Sequence, residues 1–414
     1  MGRLSRGLKL AAMALPALLI VFTMRLFRRW LVIRVYPLNT SRLGHFAANV
    51  ELYLCEREAG INVPPRPYVD LAYLPPGVPI ANRQLALMWS RTIHIWPSWL
   101  MAAVHRINRW LPGSELHEVG DNTQKDRDVH NLLGKTPPHL SFTPEEEARG
   151  RAGLAAMGMS TDTRFICLTV RDNAYLKTTF PETDFSYHDY RDSDIHNYQQ
   201  AVEALAEDGY HVIRMGQVVT ARLRSKHPRV IDYASNGMRS DFMDVYLGAK
   251  CWFCISVGTG FDALPLIFRR PIAFVNLVPI GNFFSFLDGG LGIFKKHWSV
   301  KDGRCLSIKE IVALGAAYSI AGAEYEQAGI CLIENSAEEV TALAMEMVMR
   351  LRGGWQPAPE DEDHQRRFWD AFPSAATNSR NGRPMHGRIC ARYGAQFLRD
   401  HSEWFLRANE RSEE

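Results

Sequence analysis

Long apolar runs are scarce in this sequence. The uncharged stretch near the start, residues 10–24, falls short of the about 20 residues a membrane-spanning helix needs and contains Pro16. No small-x-small cleavage site follows it before Arg25, which argues against a cleaved signal peptide. Cysteine is also sparse: seven residues, an odd number without framework spacing, which fits a reducing compartment. Cys251 and Cys254 do spell C-x-x-C, but "KCWFCISV" alternates like a strand, so the two thiols point to opposite sides and read as buried apolar residues. There is no H-E-x-x-H, no second C-x-x-C and no G-x-x-x-x-G-K-[ST]. A structural metal and a Walker-type NTPase are therefore not expected. Net charge is only +3, with no basic stripe interleaved with aromatics, so nucleic acid is excluded as a partner.

What is present is globular: 46% apolar and 22% charged residues, in a chain of 414 that is too long for a single core and implies two domains. The apolar run near the start lies between Arg3, Arg6, Lys9 and Arg25, Arg28, Arg29, a pattern suited to a peripheral or monotopic helix against anionic headgroups. The alternatives are a helix packed on the first domain and a short tilted anchor. Beyond it, strands alternate with helices. "LVIRVYPL" and "YVDLAYLPP" read as strands; "FAANVELYLCEREAG", "ANRQLALMWSRT" and "SWLMAAVHRINRWLPG" read as helices. A polar segment, residues 117–143, reads as the linker. "TPEEEARGRAGLAAMGM" then opens a helix with Pro144 at its first position and three glutamates in the first turn. The alternation resumes with strands in "RFICLTV", "YHVIRMG", "RVIDYA", "CWFCISV" and "IAFVN". The predicted class is α/β, with two Rossmann-like doubly wound parallel-sheet domains facing a cleft.

Ligands of such sheets bind beyond the carboxyl ends of the strands. In the second domain those positions are Arg171-Asp172, Arg214-Met215-Gly216, Asp232-Tyr233 and the turn from Ser256 through Gly258-Thr259-Gly260. The last spells G-x-G-x-x-A, a dinucleotide fingerprint. It lacks the acid that should follow about 20 residues on to hold a ribose, since no Asp or Glu lies between Asp262 and Asp288. NAD is thus disfavoured, while backbone N–H groups before the "FDALPLIF" helix remain a possible anion site, a plain tight turn being the alternative. One helix end stabilises a charge by only about 0.3–2 kcal/mol, so a diphosphate needs arginines as well. Arg171 and Arg214 are the candidates, a local ion pair being the alternative for each. Asp262 is either a ribose acceptor or a first-turn carboxylate. His45, at the first strand-to-helix loop, and Asp172 are the two candidate general bases. Asp192-Ser193-Asp194 matches a metal-holding D-x-D, but it precedes a helical run rather than following a strand and reads as an N-cap. "PEDEDH" reads as a solvated charge run.

Together, "PLNTSRLGHFAANVELYLCERE", "ICLTVRDNAYL", "YRDSDIHNYQQAVEALAEDGYHVIRMG", "IDYA" and "SDFMDVYLGAKCWFCISVGTGFDALPLIFRRPIAFVN" resemble a bacterial glycosyltransferase family of the two-Rossmann-domain (GT-B-like) type, over about residues 30–350. The resemblance implies a nucleotide-sugar donor in the C-terminal domain, an acceptor in the N-terminal one, and departure of the nucleotide without a metal. "VRD" is also distantly similar to the arginine motif of fucosyltransferase-type enzymes, in which an arginine meets the donor diphosphate; Arg171 stands at that place. The family often has His where this chain has Thr169.

The resulting expectation has four segments: 1–30 membrane-associating, 31–142 acceptor domain, 143–355 nucleotide-sugar domain, and 356–414 a tail and helix packing back. The expected activity is transfer of a sugar from a nucleotide sugar to a glycan or lipid-linked acceptor in cell-surface polysaccharide synthesis. It would run without metal or cofactor, at the cytoplasmic face of the inner membrane. A nucleotide-sugar epimerase, a non-catalytic scaffold of a glycan assembly complex and, last, a dehydrogenase are the alternatives.

Overall fold

The computed structural model describes residues 2–119, 127–160, 162–283, 289–373, 379–380, 383–384 and 387–405, with side chains for all of these but 2–13, 379–380, 383–384 and 403. The basic side chains expected at Arg3, Arg6 and Lys9, and the chain beyond residue 405, lie outside the described residues. The chain divides into two compact units: Met1–Asp126 with Thr136–Thr143, and Arg127–Lys135 with Pro144–Glu414. The polar segment read as a linker thus contributes to both.

Unit 1 is built from α1 (Gly2–Phe27), β1 (Val32–Pro37), α2 (Leu43–Glu58), β2 (Tyr68–Tyr73), α3 (Arg83–Ser90) and α4 (Ser98–Arg109). β1 and β2 pair in parallel around α2, with Arg34 opposite Asp70. The Arg34 guanidinium grips the Asp70 carboxylate through two bonds of 2.6 Å, both groups buried. Among the described residues the sheet continues as a single bridge, Ala72 to Ile95. Prolines 75, 76, 79 and 97 surround this stretch and cannot donate to a ladder, which keeps the third strand short. α2 ends at Gly60 (φ 72°), as the sequence suggests. Asn82 caps α3 by accepting from the Leu85 N–H at 2.8 Å.

α1 presents two faces. Ala17, Val21 and Met24 are buried against Met101, Val104, Val35 and Tyr73. On its other side Leu15, Leu19 and Phe22 are 73%, 67% and 64% exposed. Arg25 fastens the helix to the end of α4 by bonds to Asn108 and the Pro112 carbonyl. α1 is thus packed on unit 1 along one face, as in the packed-helix alternative, and exposed along the other. Among the described residues no helix is long and apolar enough to cross a membrane.

Unit 2 begins with α5 (Pro144–Ala156), β3 (Phe165–Thr169), α6 (Ala174–Thr179), α7 (Gln199–Glu207), β4 (His211–Met215), β5 (Val230–Ile231) and α8 (Asp241–Lys250). β6 (Cys254–Ser256), α9 (Ala263–Ile267), β7 (Ile272–Leu277), β8 (Leu291–Phe294), β9 (Lys296–Ser299), β10 (Arg304–Cys305), α10 (Ile308–Ala313), α11 (Gly322–Gln327) and β11 (Ile330–Ile333) follow. The chain closes with α12 (Ala337–Leu351), α13 (Asp361–Ala371), the β12–β13 pair (Ser379–Arg380 and Arg383–Pro384), β14 (Arg392–Tyr393) and α14 (Ala395–Asp400). Among the described residues the main sheet is seven-stranded in the order β14-β8-β7-β6-β3-β4-β5, and every pairing in it is parallel. All residues of β3 and β7 are buried, as befits strands covered on both faces. β9, β10 and β11 form a separate antiparallel sheet.

Three local expectations change. The "FDALPLIF" helix is only the five residues of α9, with Pro265 inside it. The C-terminal run read as one helix instead adds β14 to the sheet edge, then α14. Trp404 is buried there among Phe294, Tyr393 and Phe397. "PEDEDH" is not wholly solvated: Asp361 is buried and paired with Arg399. The two C-x-x-C thiols are buried, as expected.

Candidate functional site

The chain runs β3, β4, β5 outward on one side of the sheet, then returns to place β6, β7 and β8 on the other. The strand order therefore reverses between β3 and β6. This is the topological switch point of a Rossmann sheet, where adjacent crossovers leave in opposite directions and open a crevice. Thr169 at the end of β3 and Ser256 at the end of β6 are register partners there. At this switch point the Thr169 and Thr259 hydroxyls stand 3.1 Å apart.

The glycine turn is organised from within. The Ser256 hydroxyl donates to Asp262 Oδ2 at 2.9 Å and accepts from the Gly258 N–H at 3.1 Å. The Thr259 N–H donates to Asp262 Oδ2 at 3.0 Å, and the Phe261 N–H to Thr259 Oγ1 at 3.3 Å. Three N–H groups that the sequence expectation aimed outward are thus spent inside the turn. These three amides are not available to an anion, and the helix behind them is only the short α9. Gly258 has φ 77°, and a Cβ on it would stand 2.8 Å from Leu277 Cδ1, so the position requires glycine. Burial pushes the Asp262 carboxyl up to about 7, even though Ser256, Thr259 and the charge of Arg191 favour its ionised form.

Cations instead converge on the turn. Arg171, two residues past β3, donates from Nε to Asp192 Oδ1 at 2.9 Å. Arg191, from the loop between α6 and α7, donates from Nη2 to the Gly258 carbonyl. Arg171 Nη2 and Arg191 Nε are buried and have no hydrogen-bond partner among the described residues. Burial, followed by the neighbouring Arg171 charge, lowers the Arg191 pKa; Arg127 adds to the same repulsion. Lys295, just after β8 and buried, donates to the Asp192 carbonyl at 2.6 Å and lies 3.7 Å from Glu334. Burial lowers its pKa as well, opposed by Glu334 and Asp192. Like charges held this close, with two buried guanidinium N–H groups unmatched, suit a multiply charged anion.

The other sequence candidates have internal partners. Arg214 is 1% exposed and donates from Nη1 to Asp232 Oδ1 at 3.2 Å. Asp232 also accepts from the Leu223 N–H and the Ser235 hydroxyl, so the pair ties down the segment beyond β4. Tyr233 is fully buried and bonded to the Ser240 backbone. Gly216 lies where a Cβ would meet Val219 Cγ1 at 2.6 Å. Gly260 follows the internally bonded Thr259 at the outer edge of the turn. Asp172 spends Oδ1 on the Ala174 N–H at 3.0 Å and Oδ2 on the Thr220 N–H at 2.7 Å. Asp194 caps the turn before α7 through the His196 N–H, which is the N-cap reading of D-x-D. His45, in unit 1, occupies the first turn of α2 and is half-buried.

Sequence reasoning missed Arg191, Lys295, Arg127 and the role of Asp192. Lys295 carried a signal, since "LGIFKK" places it directly after an apolar run that is β8. Arg191 did not: it sits in a long polar loop, and only folding brings it to Gly258.

No protein-family model matches the chain, and no curated protein matches it. The solved structures to which it is similar include glycosyltransferases. One is a family 9 glycosyl transferase from Veillonella parvula, at 10% identity and TM-score 0.43, covering 77% of this chain and 97% of that one. Another is the ADP-heptose lipopolysaccharide heptosyltransferase II of E. coli, at 13% identity and TM-score 0.37, covering 76% and 99%. A third is the E. coli heptosyltransferase WaaC with ADP-2-deoxy-2-fluoro heptose, at 13% identity and TM-score 0.30, covering 59% and 89%.

Proposed function

We propose that this chain is a glycosyltransferase whose nucleotide-sugar donor places its diphosphate on Arg171 and Arg191 at the β3–β6 switch point. The observation that carries the reading is the pair of buried, unmatched guanidinium N–H groups beside the Gly258 turn. In the reaction, the bond from the anomeric carbon to the diphosphate oxygen breaks and a bond to the acceptor oxygen forms. The negative charge that grows on the leaving diphosphate is stabilised by guanidinium groups already in place, with Lys295 and Arg127 behind them. These cations supply what a divalent metal supplies in other transferases. Asp172 has both oxygens engaged, so His45 is the better of the two candidates for taking the acceptor proton in an inverting reaction. The acceptor is a glycan or lipid-linked sugar at the cytoplasmic face of the membrane, a reading supported by the exposed apolar face of α1.

The test is calorimetry of the purified full chain against a panel of nucleotide sugars, with and without Mg²⁺. We expect one donor to bind in both conditions, and Arg171→Ala to bind it roughly 10–150-fold more weakly, the worth of a charge-assisted bond of about 1.5–3 kcal/mol. Absence of any donor affinity, or unchanged affinity in Arg171→Ala, overturns the reading. Epimerised donor in the absence of acceptor would point to an epimerase instead.

A further inference from the structure

Unit 1 contains a cluster that the proposed reaction does not use. Glu51 and Cys55 stand four residues apart on α2, hence on one face, and both are fully buried. His139, from the segment Thr136–Thr143, reaches the same point: its Nδ1 lies 3.0 Å from Glu51 Oε1. One carboxylate oxygen, the Cys55 sulfur and one His139 nitrogen all lie within 4.8 Å of one another. Glu58, one further turn along α2, sits 3.0 Å from the other imidazole nitrogen, Nε2.

From this geometry we propose that Glu51, Cys55 and His139 form a zinc-type metal site that fastens segment 136–143 to α2. The donor set is one thiolate, one imidazole and one carboxylate. Hard cations such as Mg²⁺ and Ca²⁺ take oxygen ligands and do not select a thiolate, whereas zinc takes all three groups. A tetrahedral zinc with bonds of about 2.0–2.3 Å needs its ligands closer together than the outer limit of this cluster, a contraction that side-chain rotation supplies. The second shell fits as well. Glu58 accepting from Nε2–H fixes the imidazole tautomer with the Nδ1 lone pair turned toward Glu51 and Cys55, the carboxylate–histidine–metal arrangement of known sites. Binding displaces the thiol proton and any proton on Nδ1 to solvent, so charge is conserved without a redox step. The competing arrangement is a metal-free imidazolium held between Glu51 and Glu58. In it the Cys55 thiol is hydrogen-bonded to the same ring, and the chain takes up no metal.

The experiment uses the full chain, stripped with a chelator, dialysed and titrated with Zn²⁺ against a chromogenic competitor; Co²⁺ is titrated in parallel. We expect one metal per chain and a thiolate-to-cobalt charge-transfer absorption. We also expect Cys55→Ser to bind at least 100-fold more weakly and Glu58→Gln about 10–100-fold more weakly. Arg171→Ala keeps full metal stoichiometry, so failure here is separable from failure of the donor site. A wild-type chain that takes up no zinc, or binds cobalt without the charge-transfer band, overturns the proposal. So does a folded Cys55→Ser that binds as wild type does. Should Cys55→Ser not fold, the wild-type cobalt spectrum alone decides.

Discussion

Asp262 shows how one buried carboxylate governs a loop. It gathers Ser256 and Thr259 around itself, and burial holds its pKa up to about 7. The sign of the consequence follows from linkage. The folded pKa lies above the ordinary carboxylate value, so this group's stabilisation is complete below about pH 4 and is lost as pH rises through 7. Chemical denaturation across pH 4–8 should show that slope in wild type and lose it in Asp262→Asn. The same proton tunes the site: a neutral Asp262 leaves the arginines less compensated. Donor affinity should therefore rise as pH falls from 8 to 6.5 in wild type and stay flatter in Asp262→Asn, read by calorimetry. Arg191 has two tasks, since it bonds the Gly258 carbonyl and repels Arg171. Arg191→Ala should lower donor affinity roughly tenfold or more and also loosen the turn, seen as faster amide exchange at residues 257–261.

At the scale of elements, the β6–α9 turn works by shape. Its sequence resembles a nucleotide loop, yet three of its amides, those of Gly258, Thr259 and Phe261, bond within the turn and its helix is a short one. What Gly258 allows is close packing of the turn against Leu277. Gly258→Ala forces a left-handed conformation on a residue with a Cβ, at about 1–2 kcal/mol, and adds the 2.8 Å approach to Leu277 Cδ1. The variant should have a lower Tm and weaker donor binding together. The sheet edge behaves differently. β14 and Trp404 complete the core beside β8 and Phe294, so a chain ending at residue 386 should lose cooperative unfolding of unit 2, measured by calorimetric scanning.

On the scale of the whole molecule, unit 1 carries an apolar surface that its own fold leaves open. Leu15, Leu19 and Phe22 on α1 are joined in exposure by Trp30, Trp99 and Trp110. Aromatic residues beside Arg25, Arg28 and Arg29 suit the interface between headgroups and acyl chains. Burying one such side chain stabilises by about 1.5–3 kcal/mol. Leu19→Glu with Phe22→Glu should therefore reduce co-sedimentation with anionic vesicles by more than tenfold while leaving donor binding intact. Equal partitioning of wild type and variant would reject the membrane-facing reading.

The α/β class, the order of strands and helices and the switch-point loop were legible in the sequence, because apolar periodicity and turn residues are local properties. The position of Arg171 just past the end of β3 was legible too. The helix expected after Gly260 was not, because Pro265 and the buried Asp262 make a single turn the better solution there. Arg214 stands at a strand end, as its position in the sequence suggested, but is buried and paired with Asp232, because burial is a property of the packed sheet. Arg191 reaches Gly258 across 67 residues, and His139 reaches Glu51 across 88. The sequence by itself determined which residues form strands, turns and helices. Only the tertiary structure decided which charges meet, because a pair distant along the chain is brought together by the fold and by nothing in its local pattern.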